Sequence, residues 1–135
     1  MTTDSHFRQL VAAAQDQPDP HRLLFVFAAA ELPQDSTPTQ RARFLAGQGG
    51  ALVPLMCVDK APEDLRDFDA LTEESHRAGP PWTMVFAAGL AGRNGHPPDK
   101  REIDGALQVM VEAVRDGGFG RFAAYDRDGD PIIFE

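Results

Sequence analysis

Leu23-Leu24-Phe25-Val26-Phe27-Ala28-Ala29-Ala30 is an unbroken run of eight apolar residues, and its lack of alternation decides how the chain folds. A strand with one wet face alternates apolar and polar residues. One that is apolar at every position must be covered on both faces, which is the habit of a sheet with helices packed around it. Met84-Val85-Phe86-Ala87-Ala88 repeats the pattern, and Phe-Ala-Ala recurs at Phe27 to Ala29, Phe86 to Ala88 and Phe122 to Ala124. The flanking segments do not match, so the recurrence reads as a need for small side chains where helices approach the sheet, not as a duplication.

Upstream of the first run, Asp4 or Ser5 caps a helix whose Phe7, Leu10, Val11 and Ala14 follow the i, i+3, i+4, i+7 spacing, and Pro18 and Pro20 stop it. The first strand covers Arg22 to Leu32. Downstream, Thr37-Pro38-Thr39-Gln40 has the form of a capping box and starts a second helix that reaches about Ala46 before Gly47, Gly49 and Gly50. Ala51 to Val58 is the second strand. Pro54 has no ladder donor, so this strand lies at an edge, carries a bulge or turns that nitrogen away from its neighbour.

Pro62 opens a third helix with Glu63 and Asp64 in its first turn and a narrow stripe of Leu65, Phe68 and Leu71 or Thr72, broken at Gly79-Pro80-Pro81. Trp82 to Leu90 is the third strand. Asp99 with Glu102 caps the fourth helix, where Ile103, Leu107, Met110, Val111 and Val114 recur at helical spacing up to Gly117-Gly118. Phe119 to Arg127 and Pro131 to Phe134 flank the turn dipeptide Asp128-Gly129.

The order αβαβαβαββ predicts an α/β fold: a mixed sheet of about five strands, flanked by about four helices, with parallel crossovers and a C-terminal β-hairpin. The second helix is small and lies between long loops. Antiparallel pairing of strands one and two, which makes the protein α+β, is therefore the alternative. A chain of 135 residues fits one domain, residues 1–135.

Net charge is −8, from 21 acidic and 13 basic side chains, so the average surface repels phosphate backbones and anionic lipid, and neither nucleic acid nor membrane is an expected partner. No apolar run approaches the ~20 residues that span a bilayer. Met1 to His6 shows neither a basic leader nor an apolar stretch, and Cys57 is the single cysteine. A cytoplasmic protein without disulfide or thiolate metal cluster is expected. The acids concentrate at Asp59, Glu63, Asp64, Asp67, Asp69, Glu73 and Glu74, against Lys60 and Arg66. Glu63, Asp64, Asp67, Asp69, Glu73 and Glu74 are thus candidates for meeting a basic protein partner, or simply the solvated face of a helix.

If the strands are parallel, ligands bind beyond their carboxyl ends. Glu31, Asp59, Lys60, Arg93, Asn94 and His96 stand there. They would hold a small anionic molecule through Arg93, Lys60 and His96, or run acid–base chemistry through Glu31 and His96. Gly89-Leu90-Ala91-Gly92-Arg93-Asn94-Gly95 has the wrong spacing for a phosphate cradle and reads as a flexible loop. Asp126-Arg127-Asp128-Gly129-Asp130 fails as a calcium loop, because its glycine precedes the third aspartate and no bidentate glutamate follows. His6, His21, His76 and His96 form no metal-ligand pair in sequence, and Ser75 and His76 diverge by about 100° on a helix. Cys57, inside an apolar strand, reads as a small buried hydrophobe, and there is no G-x-S-x-G. No catalytic set, metal site or cofactor is expected.

The segments Leu23 to Ala28, Glu31-Leu32-Pro33, Gln40 to Phe44, Gly49 to Leu52, Met56-Cys57-Val58-Asp59-Lys60 and Val85-Phe86 resemble a family of short bacterial proteins of unknown function. Some members are labelled as the large subunit of ribonucleotide reductase. That chemistry requires a radical cysteine and a redox pair in a far larger barrel, which Cys57 alone does not supply. The resemblance implies a small cytoplasmic domain and points first to Met56 to Lys60. The functional expectation is a non-enzymatic binding or protein-interaction module. Its alternative is a small enzyme acting on an anionic metabolite, with Glu31 or His96 as base and Arg93 or Lys60 as anchor. Exposed Phe or Trp82 beside Tyr125 would instead suggest a homodimer.

Overall fold

The computed structural model describes residues 5–31, 35, 37–45 and 51–133. Asp4, Leu32, the glycine run at 47, 49 and 50, and Phe134 lie outside the described residues. Helices α1 (Ser5–Gln15), α2 (Pro38–Leu45), α3 (Phe68–Ala78) and α4 (Lys100–Asp116) accompany strands β1 (His21–Glu31), β2 (Ala51–Lys60), β3 (Met84–Ala91) and β4 (Ala123–Asp126). The strands form one sheet in the order β2-β1-β3-β4.

Every neighbouring pair is antiparallel. This corrects the expected mixed sheet of parallel crossovers, and the pairing of β1 with β2 is the α+β alternative. The reason is where α2 sits. Glu31 pairs with Ala51, so the segment containing α2 turns the chain back at the end of β1 and does not carry it along the sheet. β2 and β3, both antiparallel to β1, run parallel to each other with β1 between them, linked through α3. Four strands are present among the described residues, not five. Phe119 to Phe122 is a turn, and Pro131 makes only an isolated bridge to Tyr125.

The central expectation about β1 holds for a physical reason independent of strand direction. Leu23, Phe25 and Phe27 enter a core layer with Phe7, Val11 and Ala14 of α1 and with Phe68 and Leu71 of α3. Leu24, Val26 and Ala28 enter the other layer, against Ile103, Leu107, Met110 and Val114 of α4. Successive side chains of a strand point to opposite faces, and here both faces meet helices, so neither parity tolerates a polar residue. The first layer is largely aromatic: Phe7 lies 5.3 Å from Phe68 and 5.7 Å from Tyr125, and Phe27 lies 5.0 Å from Trp82, between ring centroids. Trp82 and Tyr125 are buried, which removes the aromatic patch on which a homodimer was argued.

Local signals place the helices. Thr37 Oγ1 accepts from the Gln40 N–H and Gln40 Oε1 from the Thr37 N–H, the reciprocal cap read from the sequence. Asp99 and Glu102 do the same for α4, which Gly117 ends. The third helix differs from its expected start at Pro62: Pro62–Asp64 is a 3-10 turn, and α3 begins after Asp67, whose carboxylate accepts the Ala70 N–H at 2.8 Å.

Candidate functional site

Antiparallel pairing scatters the residues expected at the strand ends. Lys60 is level with Leu23 and Ala91 with His21, whereas Glu31 stands at the far end of the 11-residue β1, roughly 30 Å away at about 3.3 Å per residue. Glu31 therefore shares no site with Arg93 or His96. The remaining candidates also separate. Arg22 donates from Nε and Nη2 to Asp59 Oδ2, the former at 3.0 Å. Lys60 Nζ donates to Glu74 of α3 at 2.6 Å, while Arg93 pairs with Glu102 of α4 at 3.0 Å. The two expected anchors thus hold carboxylates on opposite faces of the sheet.

Asn94 and His96 belong to a tight turn. Arg93 and His96 exchange backbone hydrogen bonds at 2.9 Å each, and Asn94 and Gly95 have φ of 54° and 77°. That is the mirror-image turn favoured by hairpins, not the flexible loop expected of this glycine-rich segment. The Gly95 N–H also donates to Asp19 Oδ1 at 3.0 Å.

Of the acidic candidates, Asp67 is used in capping α3 and Glu74 in holding Lys60. Glu63, Asp64, Asp69 and Glu73 are exposed. Asp126, Asp128 and Asp130 bring carboxylate oxygens within 4.8 Å of one another, and Asp126 Oδ1 accepts the N–H groups of Asp128 and Asp130. The cluster is a turn built on one aspartate. The four histidines are dispersed: His6 bonds the Tyr125 hydroxyl at 2.8 Å, His21 Nδ1 donates to Asp19 O at 2.9 Å, His76 stacks on Trp82, and His96 sits in the turn.

What the fold does assemble lies around the outer edge of β2. Phe27 is opposite Met56 but Ala28 is opposite Pro54, so Leu55 is the extra residue of a β-bulge beside the proline. Two of the three outcomes allowed for Pro54, an edge strand and a bulge, occur together. Below the bulge the strand is regular to Lys60. Met56 and Val58 face the α3 layer, and Cys57 and Asp59, opposite Val26 and Leu24, face α4.

A cavity of about 250 Å³ opens between this segment and α3, lined by Phe27, Met56, Cys57, Val58, Leu71, Glu74, Ser75 and Ala78. Ser75 is buried and satisfied: its Oγ accepts the Trp82 Nε1–H at 2.8 Å and donates to Thr72 O at 2.6 Å. Apart from Glu74, which holds Lys60, the lining is therefore apolar in effect. On the other face, about 400 Å³ opens between Cys57 and α4, lined by Asp104, Leu107, Gln108, Val111, Glu112 and Arg115.

Cys57 is exposed, which corrects the reading of a buried hydrophobe; an apolar edge strand leaves its α4-facing side chain beside an open groove. Partial burial, then Asp104, then Asp59 push the thiol above its ordinary pKa. A protonated thiol is a poor nucleophile. Sequence reasoning found the edge through Pro54 but missed the α4 side. Its only signal was the row Asp104, Gln108 and Glu112 at four-residue intervals, which is indistinguishable from a solvated helix face.

Compared with family models, curated proteins and solved structures, the chain has no match in any of the three.

Proposed function

We propose that the chain is a protein-interaction module that takes an extended segment of its partner as an additional strand on β2. The observation that carries this reading is the outer edge of β2, with which no described residue pairs. The opposite edge of the sheet is closed: Pro131 bridges Tyr125, and the Ile132 N–H donates to Ala124 O at 2.8 Å. Unpaired N–H and C=O groups along a strand are a template for another chain, and natural edges are commonly blunted by proline, bulges or lysine. In β2 the proline and bulge fall at Pro54 and Leu55, so they blunt the first half and leave Met56 to Asp59 regular. Both cavities open at that regular half.

An anionic-metabolite enzyme has less support, since Glu31 stands at the opposite end of β1 from Arg93 and His96, so that Glu31 as base and Arg93 as anchor do not meet.

Panning a displayed library of random decapeptides on the folded protein tests the module reading. Binders are expected to slow amide exchange at Met56 to Lys60. Binders that protect only other amides, or none enriched at all, would refute it.

A further inference from the structure

We infer that the segment received by β2 alternates in chemistry, with apolar side chains seated against α3 and Lys or Arg seated against Asp104 and Glu112 of α4. This rests on the reading of β2 as a strand acceptor and names what it accepts.

A strand laid beside β2 continues its pleat, so residues level with Met56 and Val58 point towards α3, and those level with Cys57 and Asp59 point towards α4. The two destinations differ. The α3 groove offers Phe27, Met56, Leu71 and Ala78; its one carboxylate, Glu74, is held by Lys60 at 2.6 Å, and its one buried hydroxyl is already bonded to Trp82. The α4 groove combines the apolar Leu107 and Val111 with a row of polar groups, Asp104, Gln108 and Glu112, and with Arg115 at its end. That row carries two carboxylates to one guanidinium, on a chain of net charge −8.

Asp104 is held at 2.9 Å by Lys100, but both side chains are largely exposed, and exposed pairs of this kind are weak competitors. Asp59 is occupied by Arg22. Beside partial burial, the larger cause, Asp104 of α4 helps to keep the Cys57 thiol protonated, which sets its carboxylate close to the strand's α4 side. A second copy is a poorer occupant. Edge-to-edge pairing about a two-fold axis normal to the sheet would bring α4 beside α4, setting like carboxylate rows together.

Four fluorescent heptapeptides, blocked at both termini, separate the possibilities: Val alternating with Lys, Val alternating with Glu, Val alternating with Thr, and four Val followed by three Lys. Alternating peptides can slide by one residue to set either parity towards α3, so register does not confound them. The Val/Lys peptide is expected to bind at least tenfold tighter than the Val/Glu and block peptides. It should shield Cys57 from maleimide, and it should lose most of that advantage over Val/Thr in the Asp104→Asn, Glu112→Gln double variant.

Equal binding of all three alternating peptides at Met56 to Lys60 overturns the charge assignment and leaves the strand-acceptor reading standing. Equal binding of block and alternating Val/Lys peptides overturns the alternation. Failure of every peptide to protect β2 amides, or self-association of the protein that shields the same amides, overturns both.

Discussion

Gly92 has no room for a side chain. A Cβ there would lie 2.6 Å from Pro20 O and still closer to His96 O, both backbone atoms with nowhere to move, because the Gly92 N–H itself donates to Pro20 O at 2.8 Å. Gly92→Ala should cost about 2–4 kcal/mol, read as a fall in the urea midpoint at unchanged slope. Gly95→Ala is the control. It meets no neighbouring atom and carries only the penalty of φ 77°, about 1 kcal/mol. If the two variants are equally stable, the close packing of Pro20, Gly92 and His96 is wrong.

Tyr125 is the one tyrosine of the chain, and burial pushes its hydroxyl up to about 12. The folded state keeps this proton while the unfolded state releases it near pH 10. Between those values the unfolded state binds fewer protons, so the stability present below about pH 10 is lost as pH rises towards 12. Ultraviolet titration of the phenol should show the late midpoint, and Tyr125→Phe should flatten the alkaline fall attributable to this group. A midpoint near 10 in the folded protein would mean that the ring is wet.

The helices and strands differed in how far the sequence betrayed them. Helix α4 was fully legible because its stripe and its cap agree: Asp99 Oδ1 accepts the Glu102 N–H at 2.8 Å, and Glu102 returns the bond to the Asp99 N–H. Asp99→Ala should therefore cost about 0.5–2 kcal/mol by thermal or urea unfolding. Asp99→Ser should recover most of it, since a serine hydroxyl accepts the same N–H. A loss unrelieved by serine would point to charge and not to capping.

Strand direction was not legible, because an apolar run records that both faces are covered and says nothing of which way the neighbour points. β1 would read alike in either sheet, and that error separated Glu31 from the rest of the expected site, sending it to one end and Arg93 to the other. The start of α3 was misplaced because Pro62-Glu63-Asp64 carries an N-terminal signature that a 3-10 turn satisfies equally, while Asp67 supplies the cap. Asn94-Gly95 was the opposite case. The dipeptide is a strong hairpin signal, and it was hidden by the other glycines around it. The α4 groove was invisible for a different reason: whether Asp104 and Glu112 face water or face a neighbouring strand edge depends on where β2 lies, which no local pattern encodes.

The two core layers meet only through the sheet, and β1 contributes to both with adjacent residues. Phe25 sits among the aromatics of α1, α3 and Tyr125, while Val26, next in sequence, sits under α4. A close-packed strand cannot loosen one parity without disturbing the other, because the same backbone carries both. Trp82, buried in the aromatic layer, is the single tryptophan and reports on that layer alone. Leu107 lies in the aliphatic layer, on the far side of the sheet. Leu107→Ala removes buried methyl groups under α4 and should lower stability by about 2–4 kcal/mol. If the layers are coupled through β1, Trp82 fluorescence and helical circular dichroism must shift to lower urea together, with coincident midpoints, although the lesion never touches the tryptophan. Were the Trp82 transition to stay where it is in the parent protein while the dichroism moves, α4 would be unfolding on its own. The β2 edge would then lose one wall of its paired grooves well before the sheet came apart.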